Sequence, residues 1–267
     1  MMIQSHFGLD KLPFNDSAPA LLEQQQRIFD MLLIHSQQGG LCLVLGEPGT
    51  GKSLIKQTLM IHDAKRMVTP VINRTLHTYH NTLRILCEAF DVEFYAKDSK
   101  CERLLVEEAF KLFRSGKLLV PIIDDAHLMP AESLRKLRLL FEDFPRAYNL
   151  VLIGQPTLMH TLSLSVNEEI KNRVTYSEEL RKMAPEQLEA FLSEQLEKAG
   201  LGANVFTEEA LGLIVRTSEG ILRSARNLAL GSLIEAVRDR TRTVDIKQVN
   251  SVLRQPHWRK DYDLRSI

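Results

Sequence analysis

Residues Gly46 to Ser53 read GEPGTGKS, which satisfies G-x-x-x-x-G-K-[ST] at every fixed position. Before it runs Leu41-Cys-Leu-Val-Leu45, a short continuous apolar stretch of the kind that forms a strand buried on both faces. After it, Leu54 to Met60 reads as a helix. A glycine-rich turn between a buried strand and a helix start lets the backbone wrap a phosphate chain, and the helix start supplies unbonded N–H groups and a positive dipole end. The spacing therefore predicts a polyphosphate cradle made by Gly46, Glu47, Pro48, Gly49, Thr50, Gly51, Lys52, Ser53 and Leu54. Lys52 would reach the β- and γ-phosphates of ATP, and the Ser53 hydroxyl would ligate Mg²⁺.

The 267 residues suffice for one large domain or two modest ones. Lys plus Arg equals Asp plus Glu at 34 each, so global charge carries no sign of a nucleic-acid partner, although a local patch stays open. Cys42, Cys87 and Cys101 lack metal-type spacing and read as reduced thiols of a cytoplasmic protein. The N-terminus has no signal-peptide core, and no stretch approaches a membrane span.

Strands are expected at 41–45, 68–72, 118–123 and 150–153, separated by helices near 20–38, 54–60, 79–91, 100–115 and 130–144. Pro121 inside the third of these strands is an objection, because proline has no ladder donor. Strands alternating with helices imply a parallel α/β sheet with right-handed crossovers. Beyond Met183 the pattern turns helical, near 185–199, 207–217, 222–238 and 245–254. The expected organisation is an α/β nucleotide-binding domain over 1–183, including an apolar lead-in at 7–14, a helical lid over 184–254 and a tail over 255–267.

The strand LLVPIID ends on Asp124 and Asp125. An apolar strand closing on an acid supplies the second half of a phosphate-loop site. Asp124 would hold Mg²⁺ through water and Asp125 would polarise the attacking water. The usual residue beside the metal acid is Glu; the shorter Asp125 implies slow or partner-stimulated hydrolysis.

The order FGL, LPF, GEPGTGKS, IIDDAHLMP, LVLIGQP and GILRSARNL resembles the ExeA-like branch of AAA+ ATPases over about residues 5–255. The resemblance implies a P-loop AAA+ fold with a C-terminal helical lid, ATP and Mg²⁺ as cofactors, ATP hydrolysis and a homo-oligomer, ring or filament, when ATP is bound. It further implies that Gln155, in IGQP, senses the γ-phosphate. Arg173, in EEIKNRVTY, is implied to be an arginine finger serving a neighbouring subunit, although the residues alone equally fit a solvated arginine beside Glu168 and Glu169. Arg223, in GILR, resembles a second sensor on the lid; Leu222 stands where the family commonly has proline, and Arg226 is the fallback. Phe14 reads as core, with contact to adenine the alternative.

This branch contains secretion and pilus-biogenesis ATPases and transposition helpers that assemble on duplex DNA and recruit a transposase. A chain ending at 267 with no membrane span favours the second group. Relatives bind DNA after the second strand, which here brings Arg74, Thr75, His77, His80 and Arg84 into question, an ordinary polar loop being the alternative. From Arg216 to Lys260, ten Lys or Arg stand against four Asp or Glu, which suits either a phosphate backbone or a solvated helical face. Two other readings stay open: a cytosolic ATPase of a secretion or pilus system, and an ATP-switched DNA-binding module with negligible turnover.

Overall fold

A computed structural model describes residues 2–14, 20–73, 78–146, 148–202 and 204–258. The chain divides into two compact units, one made of residues 20–181 and one made of residues 1–19 with 182–267.

The first unit is an α/β layer structure. Its strands are β1 (Gly40–Gly46), β2 (Met67–Val68), β3 (Val71–Ile72), β4 (Leu118–Leu119), β5 (Ile122–Ile123), β6 (Asn149–Gly154) and β7 (Val174–Leu180). With α1 assigned to Met2–Phe7 of the other unit, the helices here are α2 (Glu23–Gln38), α3 (Lys52–His62), α4 (Tyr79–Ala89), α5 (Asp98–Arg114), α6 (Ala131–Glu142), α7 (Thr157–Ser163) and α8 (Glu168–Lys171). The main sheet has the order β3-β5-β6-β1-β7, and all its pairs are parallel. β1 and β6 are central and almost wholly buried, which is why each reads as an unbroken apolar run. Leu41, Leu43 and Leu45 point into one apolar layer with Ile123, Leu150 and Leu152. Cys42 and Val44 point into the other with Ile122, Val151 and Ile153, as the two-residue period of a strand requires.

Two of the expected strands are interrupted at proline. Residues 67–72 break at Pro70 and 118–123 break at Pro121, so β2 pairs with β4 and β3 pairs with β5. The ladder between the two segments nonetheless continues: the N–H groups of Val120, Ile122 and Asp124 donate to the carbonyls of Val68, Pro70 and Ile72. Pro121 turns its missing donor to the β6 side, where its carbonyl still accepts from Val151. Strand β7 was not anticipated. It is an edge strand whose residues alternate in exposure and include Glu178 and Glu179, so its composition hides it.

The second unit holds α1, α9 (Pro185–Lys198), α10 (Glu208–Ser218), α11 (Leu222–Asp239) and α12 (Ile246–Leu253). These last four helices lie within about a residue of the expected spans. Thr207 caps α10 through the Ala210 N–H, and Asp245 caps α12 through the Lys247 N–H at 2.6 Å. The apolar lead-in does not belong to the α/β unit as expected. Ile3, Leu9 and Phe14 are buried in the helical core with Leu192, Ile214, Leu228 and Leu233, and the His6 ring hydrogen-bonds the Thr241 carbonyl at 2.7 Å. Trp258 packs against the same core. Among the described residues no helix is long and apolar enough to cross a membrane.

Candidate nucleotide site

In the α/β unit, Gly46, Asp124 and Gln155 all stand at the C-terminal ends of neighbouring parallel strands. Pairing of Leu45 with Gly154 and of Ile123 with Leu152 brings the ends of β1, β6 and β5 to one edge. Parallel α/β sheets bind ligands at this edge.

The loop takes the shape its sequence dictates. Gly49 and Gly51 have φ of 88° and 106°, in the region that suits glycine. A Cβ on Gly46 would lie 2.8 Å from the Thr50 hydroxyl. The buried Thr50 hydroxyl donates to the Glu47 carbonyl at 2.9 Å and so ties the loop shut. Gly51 forms the N-cap of α3, placing Lys52, Ser53 and Leu54 in its first turn. The Lys52 ammonium donates to the carbonyls of Gly46 and Glu47 at 2.6 and 2.8 Å, folded over the loop that phosphates would enter. Ser53 is exposed at the helix start. A cradle of left-handed glycines, a cation held by carbonyls that phosphate oxygens can replace, and a free-standing hydroxyl fit a nucleoside triphosphate with Mg²⁺.

Asp124 follows β5, and its Oδ1 accepts the Asp125 N–H at 3.1 Å. Its Oδ2 is 2.5 Å from the ammonium of Lys56, which the motif does not include. Lys56 follows Ser53 by three residues on α3, so both lie on one face of that helix. The Lys56–Asp124 contact thus brings this face of α3 against the carboxylate that follows β5. The only sequence signal for Lys56 is its helical spacing of four from Lys52.

Asp125 is exposed, with φ 52° and ψ 34°, a left-handed backbone. Asp adopts that conformation more readily than most residues. Gln155 is half-buried between β6 and α7, with no side-chain partner among the described residues. The preceding Gly154 is packed tightly: a Cβ there would lie 3.2 Å from the backbone nitrogen of His127.

Arg173, just before β7, pairs with Glu142 at 2.8 Å rather than with Glu168 or Glu169, and its side chain is 60% exposed. Around it, Arg138 bonds Glu142 at 2.7 Å and Glu169 at 3.2 Å, and Arg135 reaches Glu169 at 3.5 Å. Arg223 and Arg226 are exposed on the first turns of α11, in the helical unit. Of the DNA candidates, Arg74, Thr75 and His77 lie outside the described residues. His80 is engaged with Asp98 at 2.5 Å and edge-on to Phe94, which makes it a link between α4 and α5. Arg84 is exposed on α4. The three cysteines are free and buried, and burial pushes the Cys42 thiol up to about 11 and the Cys87 thiol up to about 12.

Residues 34–162 match the family model described as an AAA domain. The strand that carries the loop and the strand that carries Asp124 are separated by the strand that carries Gln155. This is a P-loop AAA+ fold. The chain superposes on the ORC2 protein of Aeropyrum pernix, solved in ADPNP–ADP complexes, with a TM-score of 0.70 at 14% identity, covering 95% of this chain and 73% of that one. It superposes on the Aeropyrum pernix ORC1 protein in complex with DNA with a TM-score of 0.69 at 18% identity, covering 89% and 66%. In sequence it is 30% identical over 247 residues to the general secretion pathway protein A of Aeromonas hydrophila, covering 88% of this chain and 45% of that protein. The chain therefore spans about half the length of this curated relative.

Proposed function

We propose that this protein binds Mg·ATP at the loop, hydrolyses it slowly or on stimulation, and uses the bound state to assemble copies of itself on duplex DNA, where it recruits or regulates a transposase. The observation that carries the ATPase part is the convergence of Lys52, Ser53, Asp124 and Gln155 at one sheet edge. Bound ATP supplies the phosphoryl group and Mg²⁺ neutralises charge on its oxygens. Lys52 exchanges its two carbonyl partners for phosphate oxygens. Ser53 and Asp124 hold the metal, Asp125 accepts the proton of the attacking water and Gln155 orients that water. Arg173, exposed and held by Glu142, serves the site of a neighbouring copy, and Arg223 takes the sensor role that the family resemblance implies.

DNA binding is supported by seven exposed arginines among the described residues of the helical unit, Arg216, Arg223, Arg226, Arg238, Arg240, Arg242 and Arg254, of which Arg238 is paired with Glu235, and by exposed Arg84 on the α/β unit. The ORC1 protein of like fold is one seen with DNA. A second reading, an ATPase of a secretion system, is favoured by the identity to a secretion pathway protein. Because the chain spans about half of that relative, its length does not separate the two. An ATP-switched module without turnover is the third reading.

Sedimentation with duplex DNA and a non-hydrolysable ATP analogue tests the assembly. Large DNA-bound species that vanish in Lys52→Ala are expected. A chain that binds the analogue yet remains monomeric and free of DNA contradicts the DNA reading and leaves the secretion reading standing. Phosphate release measured with and without DNA separates an enzyme from a switch.

A further inference from the structure

Lys56 stands outside the phosphate-loop motif, yet it has the most direct contact with the metal-side acid. It lies one turn beyond Lys52 on α3, and only 15% of its side chain is exposed, against 18% for Asp124. Its ammonium donates to Asp124 Oδ2 at 2.5 Å and to Asn73 Oδ1 at 3.2 Å. The other Asp124 oxygen accepts the Asp125 N–H at 3.1 Å. Both oxygens of the carboxylate are therefore engaged within the chain. Asn73 follows β3 and Asp124 follows β5, and these strands are neighbours, so one ammonium ties two strand ends together.

We infer that Lys56 is a positioning residue that holds the Asp124 carboxylate in the metal-free chain and competes with Mg²⁺ for it. The inference rests on the reading of Asp124 as the metal-side acid. An ammonium and a divalent ion at the same half-buried carboxylate repel each other strongly, because water screens them poorly there. Capture of Mg·nucleotide requires Lys56 to leave Asp124, and Asn73 remains as its acceptor. The pair thus sets how much Mg²⁺ the site needs before it closes on nucleotide. It also keeps the acid in register with the loop until then.

The test is a Mg²⁺ titration of the full chain with a fluorescent, non-hydrolysable ATP analogue. For Lys56→Met the Mg²⁺ concentration at half-maximal binding is expected to fall by ~10-fold, the loss of one unit of like charge near the ion. Lys56→Arg, which keeps the charge, is expected to stay within ~2-fold of the native chain. Thermal melting is the second readout. Lys56→Met is expected to melt below the native chain in EDTA, and the gap to shrink at saturating Mg²⁺ and analogue. An unchanged half-point together with an equal melting gap in both conditions overturns the inference and makes Lys56 an ordinary ion pair. If Lys56→Met does not fold, Lys56→Gln keeps a donor toward Asp124 without the charge, and an unchanged half-point there overturns it equally. A native chain that shows no Mg²⁺-dependent analogue binding overturns the nucleotide reading itself, and this inference with it.

Discussion

Asp125 combines two demands at a single residue. Its backbone is left-handed, φ 52°, at the turn where β5 passes into the 126–128 helical turn, and its carboxylate belongs to the proposed hydrolytic step. Asn tolerates that backbone as well as Asp does, so Asp125→Asn isolates the chemistry from the fold. Phosphate release is expected to fall at least ~100-fold, while analogue affinity and melting temperature stay near native values. Equal release rates in the two proteins would point to the switch without turnover. Asp125→Glu reverses the experiment, because it restores the usual longer acid on a backbone that disfavours it. It is expected to lower stability by ~1 kcal/mol, read from a denaturant midpoint.

At the scale of elements, glycines at two chain reversals separate backbone strain from packing. Gly39 sits between α2 and β1 with φ 83°, and a Cβ there would lie 2.0 Å from the Arg146 carbonyl oxygen. Gly116 follows α5 with φ 82°, and nothing lies within 4 Å of its Cβ position. Gly116→Ala is expected to cost ~1–2 kcal/mol, the left-handed backbone term alone. Gly39→Ala adds a collision with backbone and is expected to cost several times more, or to abolish folding, in the same denaturant series. Helix α12 offers a pH test. Asp239, at the end of α11, is held below the usual carboxylate range, first by its hydrogen bond to Lys247 and then by that to Gln248. A depressed acid stabilises above its unfolded value of about 3.9, and that stabilisation is lost as pH falls through its lower native value. Asp239→Asn is therefore expected to flatten the acid limb of the melting curve below about pH 4 while also lowering stability at neutral pH.

The same scale separates what the residues announced from what they concealed. The loop, β1 and the four C-terminal helices were legible because their signals are local: a fixed glycine spacing, an apolar run, a 3.6-residue period. The proline breaks were half legible, since Pro121 was an objection but its unpaired side could not be known before β6 was placed. Edge strand β7 was hidden by Glu178 and Glu179. Lys56 was hidden because its partner lies 68 residues away on the end of another strand.

Over the whole molecule, residues 20–181 form an α/β unit inserted between the two parts of a helical one. The helical unit therefore closes only when the lead-in meets helices that follow an entire domain in the chain. A long connection raises the entropic cost only slowly with length, so such closure is affordable if the lead-in buries enough apolar surface. Ile3, Leu9 and Phe14 are each less than a tenth exposed in the helical core. At about 1.5–3 kcal/mol for each buried apolar side chain, the three contribute roughly 4.5–9 kcal/mol as an upper estimate. Domain stabilities are themselves about 5–15 kcal/mol. Removal of residues 1–14 is thus expected to leave α9 to α12 marginal while the sheet of the α/β unit stays intact. Hydrogen exchange resolves the two outcomes in one experiment: amides of α10 and α11 should lose most of their protection, and those of β1 and β6 should keep theirs. Native protection of α10 and α11 in the truncated chain would mean that the helical core closes without the lead-in. Equal loss in β1 and β6 would mean that the two units unfold as one.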